Sequence, residues 1–174
     1  MRSLKPMTIV ITMLLALGLA SCGSSSKKNN TAPGMGDSTT EDRDMGNDGM
    51  NLELNGDSDS GKAGALQTVY FGFNSANLNS STRAALQNNA DFLKDNGDVQ
   101  VQIEGHADER GGVQYNLALG EKRAKAVKEY LVSMGVSSSR ITTISFGKER
   151  PIAFGHDESA WSKNRRANFV VTAK

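Results

Sequence analysis

From residue 65 to the end of the chain, apolar side chains recur at two alternating periods. Recurrence at every second residue predicts four half-buried strands, and recurrence at every third or fourth residue predicts two amphipathic helices. The inward-facing strand positions are Val69, Phe71, Phe73, Val99, Val101, Ile103, the 141–146 stretch, Ala167, Phe169 and Val171. The inward-facing helix positions are Leu86, Ala90, Leu93, Leu119, Val127, Tyr130, Leu131 and Met134. The order β-α-β-α-β-β predicts an α/β (α+β) two-layer sandwich, with the helices on one face of a mixed sheet.

Polar residues and glycines mark the ends of the two predicted helices. Asn79 or Ser80 is placed to cap the first helix, which ends before Gly97. The second helix begins at about Tyr115 and ends before Gly135. About 105 ordered residues are enough for a modest hydrophobic core.

The first 21 residues follow a different pattern. Arg2 and Lys5 precede a predominantly apolar core of 13 residues, 7–19. A membrane span needs roughly 20 residues, so this run is typical of a signal peptide. It ends in Leu-Ala-Ser-Cys, which resembles the bacterial lipobox and places the only cysteine of the chain at Cys22. We therefore predict that residues 1–21 are a lipoprotein signal peptide and that Cys22 is lipidated.

Residues 22–64 are nearly devoid of large apolar side chains and rich in Ser, Asn, Asp and Gly. Such a segment cannot bury enough apolar surface to offset the entropy of ordering its backbone, so we predict a disordered tether with a reach of roughly 35 Å. The Asp- and Ser-rich stretch 55–61 hints at a calcium loop, but its glycine is misplaced. Gly23 stands where an aspartate retains many lipoproteins in the inner membrane, which favours the outer membrane. The folded domain is thus predicted to be 65–174.

The charge balance of the chain argues against nucleic-acid binding. The whole chain has a net charge of +1, and residues 65–174 contain 14 basic and 11 acidic residues, a net charge of +3. A duplex-binding domain would be expected to be more basic. The single cysteine also excludes an internal disulfide, a four-cysteine zinc site and a CxxC redox centre.

Candidate chemistry concentrates in the glycine-containing loop 104–112 and in the helix that follows it. Glycines on both sides of Asp108 let the backbone turn and expose the side chains between them. Asn116, Leu119 and Arg123 are spaced by three and four residues, so they share one helix face. This spacing is compatible with a carboxylate and a guanidinium that share one site, or that merely pair with each other to brace the loop.

Three other chemistries fit the residues less well. His106, Asp108 and Glu109 could ligate a metal, but neighbouring side chains on a tight loop seldom converge. Glu104 and Asp108 could be the paired carboxylates of a cell-wall hydrolase, yet nothing near them is suited to holding a glycan. The basic pair at 165–166 lacks the interleaved aromatic residues typical of RNA binding. We therefore expect no metal, no cofactor, no nucleic acid and no catalysis.

Several separate stretches of the chain resemble the OmpA-like peptidoglycan-binding domain family. They occur in the family's order over more than 100 residues. The matching stretches are VYFGF at 69–73, EGHADERG at 104–111, YNLALG at 115–120, RA at 123–124, SFGKERP at 145–151 and SKNRRA at 162–167.

The resemblance implies a ligand and a set of binding residues. The family binds the diaminopimelate stem peptide of peptidoglycan non-covalently and without catalysis. Its ligand-clamping aspartate falls on Asp108 and its arginine on Arg123, with the intervening asparagine and leucine on Asn116 and Leu119. A weaker site is Asn74, where many members have aspartate.

The resemblance to lipid-anchored members of this family also implies a cellular role. It predicts an outer-membrane lipoprotein, with its domain facing the periplasm, that ties the membrane to the cell wall. Such members also bind a periplasmic β-propeller protein of the Tol system and other Tol components, in support of envelope integrity and cell division. The sequence thus leaves three classes of function open. They are peptidoglycan binding, partnership with the Tol system and, less favoured, hydrolysis of the cell wall.

Overall fold

The computed structural model of the chain describes residues 51–174. The predicted signal peptide 1–21, the predicted lipidation site Cys22 and the predicted tether up to residue 50 lie outside the described residues.

Strands and helices alternate through the described part of the chain. The elements are β1 Val69–Tyr70, α1 Ser80–Asp95, β2 Gln100–His106, α2 Val113–Ser133, β3 Ile141–Gly147, α3 Glu158–Asn164 and β4 Arg166–Ala173. The strands form one sheet in the order β1-β4-β2-β3, with β2 parallel to β3 and β4 antiparallel to both β1 and β2. The predicted α/β architecture with a mixed sheet is confirmed.

The core lies between the sheet and the helices α1 and α2, as the hydrophobic periods predict. Most predicted inward-facing residues of these elements are buried in a single cluster. The predicted residues in that cluster are Val69, Phe71, Leu86, Ala90, Leu93, Val99, Val101, Ile103, Val127, Leu131, Ile141, Ala167, Phe169 and Val171. Asn79 caps α1, because its side chain accepts a hydrogen bond of 2.8 Å from the amide of Thr82. None of the helices in residues 51–174 is long and apolar enough to cross a membrane.

The first strand is shorter than predicted, and Phe73 does not face the core. Pairing with β4 ends at Tyr70, and the Phe73 side chain is 62% exposed. The chain turns away from the sheet here, since Asn74 adopts the left-handed conformation with a φ of 51°. The alternation of apolar residues continues past the point where the strand stops.

A third helix, α3, was not predicted and makes the element order β-α-β-α-β-α-β. It has only seven residues, too few for a helical period to be recognisable. Its capping residue is Asp157, whose carboxylate accepts from the amides of Ser159 and Ala160. Trp161 lies on this helix.

The prediction of a disordered tether is wrong for residues 51–64, which pack against the domain. The amides of Asn55 and Ser58 donate to β4 carbonyls at 2.8 and 2.9 Å. Ala63 is fully buried in the core, and the Asp59 carboxylate lies 2.7 Å from Nε of Arg166. Because β1 pairs with only the first two residues of β4, the rest of that edge is free to bond this segment. Backbone hydrogen bonds, the Asp59–Arg166 ion pair and the packing of Ala63 and Leu52 hold the segment. These contacts follow no regular hydrophobic period, so the pattern does not reveal them.

Candidate ligand-binding site

A small cavity opens where the end of β2, the start of α2 and the turn after β1 meet. It has a volume of about 140 Å³. Its lining residues are Phe73, Asn74, Asp108, Arg110, Gly111, Tyr115, Asn116, Leu119 and Arg123. The structure thus brings together all five residues predicted to bind ligand.

Two glycines place α2 against the end of β2 and so bring the cavity walls together. A Cβ atom on Gly105 would lie 1.9 Å from the carbonyl oxygen of Gly120, and one on Gly120 would lie 2.3 Å from Oγ of Ser145. Only residues without a side chain allow this approach of helix and strand. The first half of α2 therefore lies beside the loop that contains Asp108.

Asp108 is 4% exposed and forms its closest contact with Arg110. Its Oδ2 lies 2.6 Å from Nη2 of Arg110, and its Oδ1 accepts from the Arg110 amide at 3.1 Å. Arg165 approaches Oδ2 to 3.5 Å. Burial raises the pKa of the Asp108 carboxyl, but the hydrogen bonds and charge of Arg110, with Arg165, outweigh burial and hold that pKa below its ordinary value. The cavity therefore contains an ionised carboxylate.

Arg110, to which the sequence assigned no role, covers Asp108 from the solvent side. Its guanidinium carbon lies 4.0 Å from the ring centre of Phe73 and 3.9 Å from that of Trp161. Such cation–π contacts favour a guanidinium position between two rings. The available signal was its place in the 104–111 motif, which does not indicate its partners.

Arg123 is fully buried and donates three hydrogen bonds to backbone carbonyls. Nε donates to Ser75 at 2.9 Å, Nη1 to His106 at 2.7 Å and Nη2 to Gly72 at 3.0 Å. Since a guanidinium has five N–H donors, two remain for other acceptors. Burial lowers the pKa of Arg123 to about 10, against the opposing effect of the nearby Asp108 charge, so the group is cationic at neutral pH.

Asp108 and Arg123 lie at the same cavity, but no hydrogen bond or ion pair joins them. Their hydrogen-bonding partners are instead Arg110 and Arg165 for the carboxylate and main-chain oxygens for the guanidinium. The alternative that the two residues merely pair with each other to brace the loop is therefore wrong.

The remaining predicted residues shape the walls of the cavity. Asn116 is buried, and its Nδ2 donates to the Arg110 carbonyl at 2.9 Å, which holds the loop against α2. Tyr115 donates through its hydroxyl to Oδ1 of Asn74. Leu119 is half-buried and supplies an apolar wall.

A second group of polar contacts supports the rim of the cavity. Oε1 of Glu109 accepts from Nε1 of Trp161 at 2.8 Å and lies 2.7 Å from Nδ1 of His156. Arg165 binds the carboxylate of Glu158 and donates from Nε to the carbonyl of Phe71 at 3.0 Å. These bonds tie α3 and the turn after β1 to the loop beside Asp108.

The residues considered for other chemistries are placed elsewhere or differently. His106 is 1% exposed and stacks on Phe146, with 5.8 Å between ring centres. Glu104 lies near His106 and does not line the cavity. The side chains at 165 and 166 are buried. Within residues 51–174, no three His, Cys, Asp or Glu side chains are grouped so as to hold a metal ion.

One protein-family model matches most of the described residues. The model of the OmpA family matches residues 70–165, which run from the last residue of β1 to the end of α3 and include every cavity residue. The chain therefore belongs to the OmpA family.

Comparison with individual proteins narrows the relationship to one group within that family. A peptidoglycan-associated lipoprotein of Pseudomonas aeruginosa is 43% identical over 87% of this chain and 90% of its own length. A peptidoglycan-associated lipoprotein of Mesorhizobium japonicum is 37% identical over 91% of this chain and 88% of its own. At this identity and coverage, the chain belongs with the peptidoglycan-associated lipoproteins.

Solved structures support the same assignment. The crystal structure of the peptidoglycan-associated lipoprotein from Burkholderia pseudomallei is 45% identical and superposes with a TM-score of 0.58, over 60% of this chain and 88% of that chain. The C-terminal domain of Helicobacter pylori MotB, at 21% identity and a TM-score of 0.56, shares the fold. Because the relatives are lipoproteins named for their association with peptidoglycan, the prediction that this chain is not an enzyme is confirmed.

Proposed function

We propose that the chain binds peptidoglycan non-covalently and that its cavity accepts the free end of a diaminopimelate residue in the stem peptide. The observation that carries the proposal is the convergence of Asp108, Arg123, Asn116, Leu119 and Asn74 on one cavity. The association of the relatives with peptidoglycan, stated in their names, supports the choice of polymer.

The charges in the cavity complement this ligand. The free end of diaminopimelate has an ammonium and a carboxylate on one carbon. Asp108 is ionised and accepts from the ammonium, while the two uncommitted N–H groups of Arg123 donate to the carboxylate. Leu119 lies beside the methylene groups. A lysine in the same position of the stem peptide lacks the carboxylate and leaves the two remaining N–H groups of Arg123 without an acceptor, which gives discrimination between the two ligands.

We further propose that Cys22 attaches the chain to the outer membrane and that the domain faces the periplasm. Support comes from the lipobox-like sequence before Cys22 and from the relatives, which are named lipoproteins. One acyl chain gives only marginal membrane binding, so stable anchoring needs the two or three chains that lipoprotein processing supplies. Attached at both ends, the protein ties the outer membrane to the cell wall.

Partnership with the Tol system, including its periplasmic β-propeller protein, is the second part of this proposal. It rests on the family resemblance and on the match to peptidoglycan-associated lipoproteins. In this role the protein supports envelope integrity during cell division. Capture of the β-propeller protein by the full chain, and its release by soluble peptidoglycan fragments, would indicate that the two partners share a surface.

A sacculus-binding assay tests the peptidoglycan proposal. The full chain, in detergent, is sedimented with purified sacculi that contain diaminopimelate, in the presence of free diaminopimelate or free lysine. We expect free diaminopimelate to release the chain from the sacculi, and free lysine to be a much weaker competitor. Asp108→Asn is expected to reduce the sedimented fraction, while the matched control Asp98→Asn, at an exposed loop position, retains it. Equal competition by the two amino acids would contradict the proposed ligand.

A further inference from the structure

Strand β3 leaves one edge of the sheet unpaired. In the order β1-β4-β2-β3, β2 is its partner in the sheet of residues 51–174. The strand has seven residues, ITTISFG, and contains neither a charged residue nor a proline. Soluble proteins usually protect exposed edge strands with charges, prolines, short length or a covering element.

The open part of this edge is at Thr143 and Ser145. The Ile141 amide donates to the Ser138 carbonyl, and the Ile141 carbonyl accepts from Nζ of Lys128 at 2.7 Å, so the Ile141 backbone faces away from β2. Amide and carbonyl groups of a strand alternate in direction with every residue. The backbone groups of Thr143 and Ser145 therefore also face outward. Lys128 closes only the beginning of the edge.

Two hollows with different charge lie between β3 and α2, and Thr143 lines both. The hollow towards the start of β3 has a volume of about 510 Å³ and is lined by Lys125, Lys128 and Glu129. The hollow towards the end of β3 has a volume of about 460 Å³, and Glu121 is its charged residue. Within one copy, Nζ of Lys125 lies 2.6 Å from Oε1 of Glu121. A two-fold axis at Thr143 would add Lys128 of the other copy to the surroundings of Glu121.

We propose that β3 is a self-association surface on which a second copy of this chain adds its own β3. A two-fold axis makes the two strands antiparallel and the contact closed, so association stops at the dimer. The Thr143 and Ser145 backbone groups then bond across the interface in one continuous sheet, with Glu121 of each copy near Lys128 of the other.

Pairing along β3 leaves the ligand cavity of each copy open, because none of the cavity residues belongs to β3. Two copies side by side would present two cavities to one polymer and bind it with higher avidity than a single copy. This consequence rests on the proposed function, whereas the pairing itself does not.

Disulfide cross-linking of the full chain in the bacterial envelope tests the pairing. In Thr143→Cys, the two-fold axis brings two copies of the new cysteine to a Cα separation of about 5.5 Å, within the range for a disulfide. Non-reducing electrophoresis is expected to show a band at twice the monomer mass. The matched control is Thr172→Cys. Thr172 is an exposed residue of β4, and this strand is not at a free edge because it lies between β2 and the 51–64 segment. No doubled band, an equal band in the control, or a cross-link to a protein of another mass overturns the proposal.

Sedimentation of the purified full chain gives a second, independent readout. The parent chain is expected to form a dimer, and Thr143→Lys is expected to return it to the monomer because the axis places two ammonium groups face to face. Thr172→Lys should leave the dimer unchanged. A monomeric parent chain, or a dimer that persists in folded Thr143→Lys, overturns the proposal. A monomeric variant that still binds sacculi would show that peptidoglycan binding does not depend on β3 pairing. The two proposals can therefore fail separately.

Discussion

Asp108 forms its shortest ion pair with Arg110, at 2.6 Å between Oδ2 and Nη2, and none with Arg123, which lines the same cavity. Arg123 is held by three main-chain oxygens and keeps two N–H donors. The cavity lining therefore contains one carboxylate, Asp108, and two guanidinium groups, Arg110 and Arg123, and no direct contact joins Asp108 to Arg123. Such an arrangement suits a ligand that has both charges.

Binding of the diaminopimelate ligand is expected to depend on pH through the Asp108 carboxylate. Because Arg110 holds the pKa of Asp108 below its ordinary value of about 4, the carboxylate stays ionised until the pH falls below that value. The same depressed pKa means that the contribution of Asp108 to stability is present above the unfolded pKa and lost as pH falls through the folded one. Calorimetric titration should give constant affinity from about pH 8 to 5 and weaker binding below about pH 4. Loss of affinity already at neutral pH would indicate that a different group controls binding.

Replacement of Arg123 is expected to affect both stability and binding. Arg123→Ala removes three buried hydrogen bonds and leaves carbonyls of Gly72, Ser75 and His106 without donors. We expect the free energy of unfolding to fall by about 2–5 kcal/mol. The measurement is denaturant unfolding, and the control is Lys122→Ala, an exposed neighbour on α2.

Arg123→Lys separates the position of the charge from the geometry of the guanidinium. An ammonium cannot donate to three carbonyls in the planar fork of a guanidinium and still bind a carboxylate. We expect this variant to remain weak in binding even under conditions where it is fully folded by circular dichroism. Parent-like affinity in Arg123→Lys would show that positive charge alone suffices.

The 51–64 segment is expected to contribute to the stability of the domain. Ala63 is fully buried, so Ala63→Asp places a carboxylate in the apolar core. Urea unfolding should show a loss of about 3 kcal/mol or more, since an unpaired charge is costly to bury. Ser60→Asp, at an exposed position of the same segment, is the control. An unchanged free energy of unfolding in Ala63→Asp would mean that the segment does not belong to the folded domain.

Lipidation at Cys22 is tested by metabolic labelling with a fatty acid. Cys22→Ser removes the only thiol of the chain, so the variant should carry no label and remain unprocessed or leave the membrane as a soluble form. The unsubstituted chain, labelled in parallel, is the reference. Continued labelling of the Cys22→Ser chain would contradict the lipoprotein assignment.

The elements that can be predicted from the sequence are those with long, regular patterns. Helix α1 with its Asn79 cap, the alternation along β2 and the apolar positions of β4 follow from period and capping chemistry. The seven-residue helix α3 and the backbone-bonded 51–64 segment have no such pattern. Both are held in place by contacts with residues far away in the sequence.

The sequence predicts which residues line the candidate site, but not which hydrogen bonds and ion pairs they form. Helical spacing and motif resemblance brought Asn116, Leu119 and Arg123 to the loop of Asp108, and the structure confirms this proximity. Spacing alone could not show that Arg110 forms the ion pair with the Asp108 carboxylate. That choice depends on Phe73 and Trp161, which come from separate parts of the chain and position the Arg110 guanidinium.

Binding of diaminopimelate in the cavity is tested by calorimetric titration of the full chain with two soluble stem peptides that differ only in diaminopimelate or lysine. We expect measurable binding of the diaminopimelate peptide, with the affinity of Asp108→Asn weakened about 10- to 150-fold because a hydrogen bond to a charged group contributes roughly 1.5–3 kcal/mol. We also expect much weaker binding of the lysine peptide, and parent-like affinity in the Asp98→Asn control. Equal affinity for the two peptides, or parent-like affinity in folded Asp108→Asn, would contradict the proposal that this cavity binds diaminopimelate.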